Sequence, residues 1–95
     1  MEVVQNGIAK SAMLNGYYIG NSDAVLNYFH FSDRATAGAI GTNSRDLSLM
    51  LPPGAAANLY GQLHRFKNGI VVFATATRAG NGAPAADLDA NIFFK

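Results

Sequence analysis

Short runs of alternating apolar and polar residues, closed off by glycine, proline or asparagine clusters, recur along most of this chain, and this pattern constrains the fold most. Side chains two apart share one face of a strand, whereas a helix needs apolar residues three and four apart. The stretch from Gly69 to Thr77 is the most β-prone. Its Ile70, Val72, Ala74 and Ala76 oppose Val71, Phe73, Thr75 and Thr77, as in a central strand. Small Ala74 and Ala76 leave room for bulky residues of a facing sheet, such as Phe29 and Phe31. From Val25 to Phe31, one strongly buried face carries Val25, Phe29 and Phe31, interrupted by Asn27, and the other carries Leu26, Tyr28 and His30. Leu47 to Leu51 alternates until Pro52-Pro53, where neither proline can donate to a ladder. Asn91 to Lys95 is a further strand, and Val3 to Ile8, Ala12 to Ile19 and Ala57 to Leu63 are weaker ones.

Between these runs lie Gly20-Asn21-Ser22-Asp23, a Gly/Asn/Ser loop from Gly38 to Ser44, and a longer loop from Gly80 through Asp89. The single glutamate, Glu2, and the scarcity of lysine and glutamine leave few residues to cover helix surfaces. The fold class is therefore all-β: an antiparallel, jelly-roll-like β-sandwich of about six to eight short strands with little helix. At 95 residues the chain is one domain, 1–95, with residues 1–10 as either an N-terminal arm or a first strand. The alanine-rich stretches at Ala35 to Ala39, Ala55 to Ala57 and Ala83 to Ala86 contain or adjoin Gly or Pro, and are expected as loops.

Charge narrows the function. Seven basic residues against six acidic ones give a net charge of +1 with no basic field, so nucleic acid is not an expected partner. Charged residues make up 14% of the chain, against about 25% in an ordinary soluble domain. Ala, Asn, Gly, Ser and Thr take the vacant positions, giving an exterior that protein can cover without stranding charges. No cysteine is present, so extra stability has to come from packing or association. The first residues show no basic leader or apolar core of a signal, and no apolar run approaches about 18 residues, so no membrane partner is expected.

Catalytic and metal patterns are weak. His30, Ser32 and Asp33 lie along one strand end, but His30 and Ser32 are about 7 Å apart and Asp33 points to the other face. His30 is read as a strand histidine facing solvent or a sheet neighbour, and His64 as a rim residue. Asp87-Leu88-Asp89-Ala90-Asn91 opens like a calcium loop, yet Ile92 stands where glycine is needed and no bidentate glutamate follows. Gly38-Ala39-Ile40-Gly41 is a turn, lacking the helices of a nucleic-acid clamp. No cofactor is expected. Arg34, Arg45, Arg65 and Arg78 fall in loops or at strand ends, where a guanidinium can pair across a protein interface. The tyrosines, Tyr60 among them, and the phenylalanines are core or interface residues, or a sugar-stacking platform.

Three segments carry a likeness: Phe31-Ser32-Asp33-Arg34-Ala35-Thr36-Ala37 leading to Gly41-Thr42, Leu51-Pro52-Pro53-Gly54-Ala55, and Phe66-Lys67-Asn68-Gly69-Ile70 opening the central strand. With the loop from Gly80 to Asp89 and the final strand, the chain from about Ser11 to Lys95 resembles small phage capsid decoration, or cement, proteins with a β-sandwich or jelly-roll fold. The resemblance implies a structural virion protein, not an enzyme, made in the host cytoplasm and carried on the capsid surface. Its implied partners are the major capsid protein and further copies of itself, as a trimer or dimer. A phage tail or head-fibre component and a carbohydrate-binding module are the alternatives. Val3, Val4 and Ile8 of the arm, with Arg34, Arg45, Tyr60 and Arg65, are the candidate capsid or subunit contacts.

Overall fold

A computed structural model describes residues 6–8, 11–86 and 88–95. Its strands are β1 (Asn6–Ile8), β2 (Ala12–Asn21), β3 (Asn27–Ser32), β4 (Leu47–Leu51), β5 (Ala56–Phe66), β6 (Ile70–Thr75) and β7 (Leu88–Phe94), with one short 3-10 turn at Ile40–Thr42. All pairings are antiparallel. They form a four-stranded sheet in the order β1-β6-β3-β4 and a three-stranded sheet in the order β5-β2-β7. The chain is an all-β sandwich.

Between the sheets, Phe29, Phe31, Leu51, Ile70, Val72 and Ala74 from one side meet Ala12, Leu14, Tyr17, Ile19, Phe66 and Leu88 from the other. Phe31 is the hinge of this packing, with ring centroids 5.8 Å from Tyr17 and 6.4 Å from Phe66 in the opposite sheet. Leu49 is half-buried against it. Ala74 does accommodate Phe29, but as its neighbour on the adjacent strand, and Phe31 pairs likewise with Val72. These phenylalanines therefore share a sheet with Ala74 and do not face it from another.

Every residue of β6 is buried, because both faces of its sheet are covered. The loops 33–46 and 76–86 lie over the face that carries Val71, Phe73, Thr75, His30 and Ser32, all buried. Arg45 joins the two loops. Its guanidinium donates to the carbonyls of Arg78 and Gly80 and to Asn81 Oδ1, and sits 5.5 Å above the Phe73 ring. Asp33 ties the first loop to the β5–β6 turn by accepting the Lys67 and Asn68 amides at 3.0 and 2.7 Å. Burial raises the Asp33 pKa, but backbone donors from Asn68, Lys67 and Gly69 outweigh it and hold the carboxyl below its usual value.

The start of β3 differs from expectation. Val25 is 54% exposed, because the chain bends through residues 23–25 and the strand begins at Asn27. A buried polar knot sets that bend: the Asn21 amide donates to the carbonyls of Val25, Leu51 and Pro52, and Asn27 donates to Asn21 Oδ1 and Asp23 Oδ2. Asn27, which interrupts the apolar alternation of its segment, thus belongs to a network binding the β2–β3 and β4–β5 connections. Among the alanine-rich stretches, Ala56 and Ala57 open β5.

Candidate functional site

The outer face of the β5-β2-β7 sheet carries three exposed aromatic residues, Tyr18, Tyr60 and Phe93. Strand alternation turns Tyr17 and Ile19 into the core and Tyr18 outward, and β5 and β7 follow β2 in register. Tyr60 of β5 and Phe93 of β7 both pair with Gly16, and their rings stack at 5.5 Å and 19°. Gly16 makes this possible by close approach. A Cβ there would meet the Leu59 carbonyl oxygen at 2.7 Å, the Tyr60 ring at 3.1 Å and the Phe93 ring at 3.4 Å. The rings remain open to solvent, Tyr60 at 68% and Phe93 at 40%.

Next along β2, Tyr18 lies between Asn58 and Asn91. Charge is confined to the two ends. Asp89 flanks Gly20 at one end, and Arg65 and Lys95 flank Met13 at the other. An aromatic, amide-bordered centre with charges only at its margins has the composition of a protein-contact surface.

The residues singled out in the sequence are scattered. Tyr60 is in this surface, and Arg65 lies at its margin, exposed and 3.4 Å from Ser11 Oγ. Arg34 binds its own loop, donating to the Thr42 carbonyl at 2.8 Å and to Asn43 Oδ1 at 2.7 Å. Arg45 is held within the loop clamp. Ile8 ends β1 opposite Ile70, at the edge of the other sheet. Val3 and Val4 lie outside the described residues, as does Asp87 of the calcium-like segment. Phe93, Tyr18 and Gly16 were not singled out; the signal for Tyr18 was the Tyr17-Tyr18 doublet, since neighbours on a strand point to opposite faces.

His30 has a serine partner that its own strand does not supply. Cross-strand pairing with β4 sets Ser48 Oγ 2.7 Å from Nδ1, and Thr75 Oγ1 is 2.8 Å from Nε2. Thr75 donates its hydroxyl hydrogen to the Thr77 carbonyl, so Nε2 must be the donor to Thr75, and Ser48 donates to Nδ1. Burial, together with the Arg45 charge, lowers the His30 pKa from 6.5 to about 4. An imidazole so held is a poor base near neutrality, and among the described residues no carboxylate pairs with it. The pair acts as a buried polar link between strands.

Two open clefts accompany these features. One of about 300 Å³ is lined by Tyr17, Asp46, Leu47, Leu59 and His64. The other, of about 200 Å³, lies beside Ser48 and is bordered by Tyr28, Met50 and Arg78. Among the described residues no group of three or more His, Cys, Asp or Glu could hold a metal ion. No protein family, curated protein or solved structure matches the chain.

Proposed function

We propose that this is a non-catalytic structural protein of a phage virion, a head decoration protein that docks on the assembled shell of the major capsid protein and works as a homo-oligomer. The observation that carries the reading is the solvent-open Tyr60–Phe93 stack in a surface without central charge. Covering it removes apolar area from water at about 25 cal/mol/Å² before ordering costs, and leaves no charge unpaired. The sequence resemblance supplies the partner. A protein that binds the assembled shell and not its free subunits stabilises the shell by linkage, and several linked copies strengthen the effect.

The test is co-sedimentation with assembled shells and with unassembled capsid protein. Saturable binding to shells alone supports the proposal; absence of shell binding overturns it. The Asn58 and Asn91 amides beside exposed rings favour a second reading, a carbohydrate-binding module. Oligosaccharide-dependent chemical-shift changes confined to Tyr18, Tyr60 and Phe93 would establish that alternative.

A further inference from the structure

The β5-β2-β7 sheet has β5 and β7 as its edges, and the two are not alike. In β5 the register with β2 breaks between the Leu14–His64 and Gly16–Tyr60 pairs. Within that break Gly61 has a φ of +126°, a conformation glycine adopts without strain. A bulge of this kind bends the strand and spoils its edge as a template for another. β7, with the sequence LDANIFF, contains neither proline nor glycine, and its side of the register break falls on β2.

The direction of the β7 backbone groups follows from its last pair. Met13 and Lys95 exchange both backbone hydrogen bonds, at 3.1 and 3.0 Å, so the Lys95 N–H and C=O point toward β2. Direction alternates along a strand. Phe94, Ile92 and Ala90 therefore present their N–H and C=O groups to the outer edge, where no described strand pairs with them.

We propose that a second copy of this chain adds its own β7 antiparallel to this edge, about a two-fold axis at Ile92, joining two three-stranded sheets into one. Ile92 then pairs with Ile92 of the partner subunit, and Ala90 with Phe94 of the partner subunit, which matches outward donors to outward acceptors. Charge selects this register: it sets Asp89 opposite Lys95 of the partner subunit, on the same face and with Cα atoms about 4.5 Å apart. The two-fold axis repeats the pair. Moving the axis to Asn91 sets Asp89 against Phe93 of the partner subunit instead, and an odd slip turns the core side of one β7 to the outer face. The joined sheet brings both Tyr60–Phe93 stacks onto one surface, making the dimer bivalent. This interface rests on the homo-oligomer part of the proposed function.

Sedimentation and disulfide trapping test it in the full chain, which has no cysteine of its own. Asp89→Lys should weaken the dimer about tenfold, and adding Lys95→Asp should restore it to within about threefold of the parent. Oxidising a mixture of Asp89→Cys and Lys95→Cys chains should give a cross-linked dimer that neither chain forms alone, since the opposed Cα atoms fall within disulfide range. A stable monomer, or a dimer lacking this mixed cross-link, overturns the interface while leaving shell binding as it stands. A cross-linked dimer that fails to bind shells overturns the proposed function and leaves the interface.

Discussion

The rings of Tyr60 and Phe93 stack 5.5 Å apart although their strands are separated by β2, because Gly16 places no side chain beneath them. Gly16→Ala puts a methyl group 2.7 Å from the backbone oxygen of Leu59, an atom that cannot swing aside. The variant should lose about 1–3 kcal/mol in urea denaturation. Ring-current shifts at Tyr60 and Phe93 should show the stack parted.

Acid should destabilise the protein in a defined window. His30 is held neutral by burial, with a pKa of about 4 against 6.5 when unfolded, so between these values the unfolded chain binds more protons. The stabilisation is complete above pH 6.5 and is lost as pH falls toward about 4. Allowing for solvent screening, the loss should be about 1–2 kcal/mol. His30→Gln should flatten the pH dependence of the denaturation midpoint across that window. Asp23, lowered chiefly by its bond from Asn27, and Asp33 add a later loss as pH falls from 3.8 through their depressed values.

Arg45→Lys keeps the charge but not the fork that reaches Arg78, Gly80 and Asn81 together. The expected cost is about 1–2 kcal/mol. Backbone amides in residues 76–82 should exchange faster with deuterium, while those of β2 keep their protection.

Phe31→Ala should cost about 3–5 kcal/mol, because the ring is fully buried and contacts Tyr17, Phe29 and Phe66. Equilibrium urea denaturation followed by far-ultraviolet circular dichroism measures this loss.

Strands were legible where alternation met a hard stop. Leu47 to Leu51 matches β4 residue for residue, because Pro52 ends the ladder. Where tertiary partners decide, the local pattern failed: Val25 continues an apolar alternation but is turned out by hydrogen bonds from Asn21. β7 begins at Leu88 within the segment weighed as a calcium loop, since alternating Asp89 and Asn91 can equally line the outer face of an edge strand. The exposed aromatic surface was half legible. Tyr60 stood out by residue type, but its partner Phe93 is set by the shared pairing with Gly16, and Ser48 reaches His30 only through the β3–β4 register. Such pairings join residues far apart in sequence, which periodicity within one strand does not encode.

In the proposed function, the outer face of the β5-β2-β7 sheet holds the protein to an assembled capsid shell. The most direct test is the shell affinity of the parent chain beside that of Tyr60→Ser, a change at a residue 68% exposed that should leave folding intact. The parent should bind saturably, and the variant at least about tenfold more weakly while its far-ultraviolet circular dichroism shows the same all-β fold. Equal shell affinity for the two chains would contradict the proposal.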